Sequence, residues 1–187
     1  MITQYPIASK ILDAAGNVVS DSVNHSIVTS DIEHYLEHIG RAWVYSDTAS
    51  VNAGANLDIL ITNGASGDIH IKDYHFTSTQ ANATIILYGS TTTSAAGTAK
   101  TLRNKNLNYQ GNTPQSSMST GPTVTGVGNI LEATILTGNK QSGGSIEGNE
   151  DEWIIPASTK AMFRFTNNSA STDSISFWIK ILDVAGL

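Results

Sequence analysis

Two stretches near the C-terminal end of the chain alternate with a period of two. Ala161, Phe163 and Phe165 are separated by Met162, Arg164 and Thr166; Ile175, Phe177, Ile179 and Ile181 are separated by Ser176, Trp178 and Lys180. Side chains of a β-strand point alternately to opposite faces, so each stretch reads as a strand buried on one side. Residues 167–173, NNSASTD, supply the turn chemistry that joins them as a closing strand pair. Phe163, Phe165, Ile175, Phe177 and Ile179 are the expected core, and Arg164, Trp178 and Lys180 the opposite face, where an interface with a partner is expected. This pattern sets an all-β class and places nothing reactive between the two strands.

Strands are expected at even spacing upstream. They cover 42–46, 57–62, 69–76, 84–88, 129–137 and 152–155, followed by 161–166 and 175–182, as in a sandwich or barrel. One phase slip stands out. Ile69 and Ile71 share a parity, whereas Tyr74 and Phe76 take the opposite one. A bulge near Lys72-Asp73, or a strand passing between sheets, restores the pattern, and such bends suit a jelly roll. Residues 31–39, DIEHYLEHI, form the one convincing helical turn, capped by Ser30 or Asp31 and stopped by Gly40. Two excursions, 110–128 and 138–150, are rich in Gly, Ser and Asn and are expected as long loops.

Residues 1–31 carry too little apolar material for a core. They read as an N-terminal arm, with a short hairpin over 10–19, that is either loose or ordered against a partner; the sandwich domain takes residues 32–187. Charged residues make up only 14% of the chain, against roughly 25% in an average domain. Asn, Ser, Thr and Gly fill the difference, which suits strands joined by polar turns. With no cysteine, disulfide frameworks and thiolate metal sites are excluded. No membrane-spanning run and no signal peptide is read in the sequence, so a soluble protein made in a cytoplasm is expected.

A net charge of −6 argues against wholesale nucleic-acid binding. Between Asp73 and Glu132 there is no acidic residue, while Lys100, Arg103 and Lys105 fall inside. That segment is either a polar loop with solvated cations or a mildly basic patch that docks on an acidic protein. Catalytic and metal motifs are incomplete. His34 and His38 stand four apart, but the string is EHYLEH and Tyr35 replaces the glutamate that a zinc-protease helix needs. His70 and His75 do not form a cupin pair. Glu150-Asp151-Glu152, with Glu147 and Asn149, reads either as calcium ligands or as a solubilising turn. There is no GxSxG elbow and no phosphate-binding glycine loop. No cofactor and no metal is expected. Trp178 remains, pointing away from Phe177 and Ile179, as either an outer cap of the core or an interface anchor.

The order of segments resembles a family of tailed-phage virion proteins of the head-decoration and head-fibre type. It runs EHYLEHIGRAWVYSD, LDILITNG, DIHIKDYHFTST, ATIILYGSTTTSAAGTAKTLRNKN, GPTVTGVGNIL and finally DEWIIPASTKAMFRFTNNSASTDSISFWIKILD, over roughly residues 33–183. Chains of that family often end in a Trp-Tyr-Glu string, where Ile181-Leu182-Asp183 stands here. The resemblance implies a jelly-roll-like β-sandwich on a phage particle, made in the host cytoplasm and forming a homo-oligomer, a trimer first. It also implies binding to the major capsid protein or another virion protein, without enzymatic activity, nucleic acid or membrane. Two alternatives stay open: a carbohydrate- or receptor-binding module that stacks glycans on Tyr88, Tyr109 and Trp153, and a hydrolase using a pair such as Asp58 with Asp73.

Overall fold

The structure, a computed structural model, describes residues 32–80, 82–136, 145–147 and 152–184. The chain divides into two units, residues 1–35 and 36–187, and the sandwich belongs to the second. The expected arm and its hairpin lie outside the described residues. A helix, α1 (Ile32–His38), precedes the strands. It ends at Gly40, which adopts φ +72° while Arg41 N–H donates to Leu36 O at 2.8 Å. This left-handed closure is what the glycine allows.

The strands are β1 (Ala42–Val51), β2 (Asn56–Thr62), β3 (Ile69–Ser78), β4 (Ala83–Gly89), β5 (Thr92–Ala95), β6 (Thr98–Lys100) and β7 (Arg103–Asn104). They continue as β8 (Ser117–Thr120), β9 (Thr123–Gly126), β10 (Asn129–Leu136), β11 (Ser145–Glu147), β12 (Trp153–Ile155), β13 (Lys160–Asn167) and β14 (Asp173–Asp183). Two antiparallel sheets face each other. The first runs β11-β3-β14-β1-β7, with β12 also on β3; the second runs β10-β4-β13-β2-β8-β6. From β1 to β4, and again from β12 to β14, successive strands alternate between the sheets. This is a jelly-roll-like β-sandwich, as the strand pattern predicts.

The core lies between the inner faces, and all five expected residues of the closing strands are buried in it. Phe163 of the second sheet enters between Tyr74 and Phe76 of the first, with ring centroids 4.9 and 5.3 Å away. Phe177 stacks on Phe76 at 5.5 Å. Aromatic contacts of this kind add to area burial, so the centre is held from both sheets at once.

The phase slip resolves as a bulge. Along β14, Lys180 pairs with Asp73 and Ile181 with Ile71, so Lys72 is passed over. One extra residue in β3 lets both Ile69-Ile71 and Tyr74-Phe76 face the core.

Two expectations need correction. The closing strands are not partners: β13 pairs with β2 and β4, and β14 pairs with β1 and β3. Nor are the two excursions plain loops: 110–128 contains β8 and β9, and 138–150 contains β11. β9 pairs with β5 in a small two-stranded sheet. Leu60, Tyr88 and Met162, on the outer side of the second sheet, cluster with Val124 and Val127. Gly128 makes the turn into β10 possible. At φ +87°, a Cβ there would lie 2.0 Å from the Gly89 carbonyl oxygen.

Candidate functional site

The register of β1, β14 and β3 builds the outer face of the first sheet row by row. Ser46, Trp178 and His75 form one row, and Thr48, Ser176 and Thr77 the next. Thr77 and Ser176 share a hydroxyl hydrogen bond at 2.5 Å. Trp178 is 36% exposed, and its ring is parallel to that of His75 within 2°, centroids 6.3 Å apart. On its other side the register places Ser46. The result is a shallow depression of about 400 Å³ lined by Ser46, Thr48, His75, Ser176 and Trp178 together with Asp47 and Phe177. Asp47 shares the inward parity of Phe177. Its carboxylate accepts from the Tyr45 hydroxyl at 2.6 Å, the Thr48 N–H and Lys100 Nζ at 3.0 Å. These bonds, led by the one from Tyr45, hold Asp47 below the usual carboxylate range, while burial pushes the Tyr45 phenol well up.

The other expected interface residues are spread over the molecule. Lys180 is not on an open surface: it is 4% exposed, with Nζ 2.6 Å from Asp73 and 3.7 Å from Glu37. The reason is local. From Leu36 on, the end of α1 covers this part of the outer face, and Leu36 packs with Ala42, Leu182, Ile39 and Val184. Lys100 is paired with Asp47 and Lys105 with Glu37. Acids remote in sequence therefore neutralise two of the three cations in the acid-free segment. Arg103 is exposed, on the short strand that pairs with Val44. Arg164 lies on the second sheet, not beside Trp178. It forms a two-pronged pair with Asp58, both contacts at 2.7 Å, and sits over the Tyr88 ring. The Asp58 hydrogen bonds raise the Arg164 pKa further.

The proposed carboxylate pair does not form, since Asp58 and Asp73 belong to different sheets and each has its own cation. Nor do the three aromatic platforms converge. Tyr88 is buried beneath Arg164, and Trp153 donates its indole N–H to Glu132 at 3.1 Å. Tyr109, 38% exposed, packs its ring against Gly40. His70 Nδ1 lies 2.7 Å from Glu152. Among the described residues, no three His, Asp or Glu side chains gather as metal ligands; Glu150 and Asp151 lie outside them. Among those residues, too, no helix is long and apolar enough to cross a membrane.

One site escapes sequence reasoning. At the Asp183 end of β14 a pocket of about 530 Å³ is lined by Gly40, Arg41, Trp43, Ser66, Asn112, Thr113, Gln115 and Asp183. Asp183 Oδ2 accepts from the Trp43 indole N–H at 2.9 Å and the Gln115 backbone N–H at 3.2 Å. Asp183 Oδ1 and Gln115 Oε1 are buried without a hydrogen-bond partner. Burial raises the Asp183 carboxyl above its ordinary value, opposed by those two donors and by the charge of Arg41. The only signal in the sequence is a lone acid closing an apolar strand.

No protein-family model matches the chain, and no curated protein sequence matches it. Among solved structures, the chain is similar to the Yersinia pseudotuberculosis-derived mitogen. The identity is 13% over 73% of this chain and 83% of that one, with a TM-score of 0.33.

Proposed function

We propose that this protein is a non-enzymatic structural subunit of a tailed-phage virion, a capsid decoration or head-fibre protein that binds the major capsid protein as a homo-oligomer, a trimer first. The observation that carries the reading is the partly exposed Trp178, stacked on His75 in a hydroxyl-rich part of the outer face. A large half-exposed aromatic amid small polar side chains is the composition of an interface anchor with its rim. The order of segments resembling the virion family supports the same reading. Each contact would be modest, and many copies on a repeating lattice would hold by avidity. The subunit would be made in the host cytoplasm and function on the particle.

Sedimentation of the purified protein, followed by co-sedimentation with phage heads, tests this. An oligomer that pellets with heads, and a Trp178→Ala variant that does not, are expected. A stable monomer absent from purified particles would overturn it.

A carbohydrate- or receptor-binding module is the second reading. Its expected aromatic platforms do not converge, and the pocket at Asp183 is the observation in its favour.

A further inference from the structure

The edge strands of the two sheets are unequal. Very short edge strands are one way in which natural β-proteins avoid pairing with other chains. Most edges here follow that rule: β7 has two residues, and β6, β11 and β12 have three each. β10 has eight and, among the described residues, pairs only with β4.

The outward side chains of β10 are apolar as well. Ile130, Ala133 and Ile135 stand opposite Tyr88, Ile86 and Thr84 of β4, which alternate with the core residues Leu87, Ile85 and Ala83. Residues directly opposite share a face, so all three point away from the core. Ile130 is 62% and Ile135 63% exposed, and Ala133 is exposed too. The strand holds no Lys, Arg or Pro, and lysine and proline are the usual guards of an edge. Its two blunting features lie near its start. One is the register shift at Leu131; the other is Glu132, turned inward opposite Leu87, where its carboxylate accepts from the Trp153 indole at 3.1 Å. Beyond them the ladder is regular, and Ala133 to Leu136 form a bare edge.

This edge is complementary to itself. A twofold axis through Thr134 sets Ala133 against the partner's Ile135, Glu132 against the partner's Leu136, and Thr134 against the partner's Thr134. A large side chain then meets a small one on the outer face, and two hydroxyls meet at the axis, a favourable cross-strand pair. Glu132 is the one ionised residue of the strand, and in this register no carboxylate faces another. For a chain of net charge −6, that is the contact between copies with the least repulsion.

We propose that β10 is the docking edge for a second copy of this chain, antiparallel about Thr134, so that two six-stranded sheets become one continuous sheet. The inference goes beyond the proposed function: it assigns a contact between copies and holds for a subunit that never meets a particle. A twofold contact doubles whatever other contact the copies make, so a trimer becomes a hexamer.

Sedimentation velocity over a concentration series, on the full chain without phage heads, tests this. The parent is expected at twice the mass of a variant carrying both Ala133→Lys and Ile135→Lys, whose lysines face each other across the axis. A variant carrying both Ala133→Glu and Ile135→Glu is expected to separate the copies too. An equimolar mixture of the two variants should return to the parent's mass, since each lysine then meets a glutamate. Both positions are exposed, and thermal melts matched to the parent would show that the variants fold. A parent monomeric at every concentration would overturn the proposal. So would a lysine variant at the parent's mass, or a mixture that keeps the mass of its parts.

Discussion

Lys180 offers the sharpest test of how the outer face is built. It was expected on an interface, and the structure buries it between Asp73 at 2.6 Å and Glu37 at 3.7 Å. Lys180→Met keeps the aliphatic stem but removes the charge, taking from Asp73 its lysine and leaving Glu37 to Lys105. Breaking a fully buried pair costs about 3–5 kcal/mol. The side chains of Asp73 and Glu37 keep 23% and 26% of their exposure, and Glu37 retains Lys105, so water and that lysine recover part of the loss. A cost of about 3 kcal/mol is expected, equivalent to roughly 6–12 °C in Tm for a domain of this size. Asp73→Leu combined with Lys180→Met should recover at least about 1 kcal/mol, because neighbours in one ion pair couple by roughly 0.5–3 kcal/mol. Urea denaturation of the parent, both single variants and the double variant reads these differences. A Lys180→Met protein within about 0.5 kcal/mol of the parent would refute the reasoning and return Lys180 to the list of partner contacts.

Phe163→Ala removes the ring that joins the sheets, and a loss of about 3–5 kcal/mol in urea denaturation is expected. Trp178→Ala should change the stability of the isolated subunit by less than about 1 kcal/mol, read by thermal melt, while co-sedimentation with heads fails. Asp183 gives a pH signature. Its carboxyl is raised on folding, so the folded state holds that proton to higher pH than the unfolded chain does. Its contribution is therefore fully present below the ordinary carboxylate value and is lost as pH rises through the raised one. Relative to the parent, Asp183→Asn should gain in Tm between acid and neutral pH; an unchanged or shrinking difference would contradict the burial. Gly128→Ala should lose more than about 1–2 kcal/mol, from its left-handed φ and the clash with Gly89 O, measured by the same denaturation.

The faces of the long strands were legible because alternation fixes which side is buried. Even the bulge at Lys72 showed, as a change of parity between Ile71 and Tyr74. Partnership was not legible. Phe163 and Phe177 face the same core from different sheets, and a period of two says nothing about which strand lies alongside. β5 to β9 were missed because Thr, Ser and Gly carry no apolar alternation; their place comes from pairing and from Val124 and Val127 packing on Tyr88 and Met162. The polar surface was misread for a related reason. Lys100, Lys105 and Lys180 look free along the chain, yet they meet Asp47, Glu37 and Asp73 only once the sheets form. Trp178 kept its expected outward direction, whereas the Asp183 pocket draws its walls from four separated segments and left no pattern to read.

The central position of β14 has a consequence for biosynthesis. It pairs with β1 over ten residues and with β3 along the other side, yet about 120 residues separate the end of β1 from its start. At roughly 5–20 residues per second, a ribosome needs on the order of 6–25 seconds to cross that gap. Through that interval β1 and β3 wait with open edges and no central strand, so the nascent first sheet is the vulnerable half of the molecule. A chaperone that shields exposed strands would raise the yield of folded protein without touching its final stability.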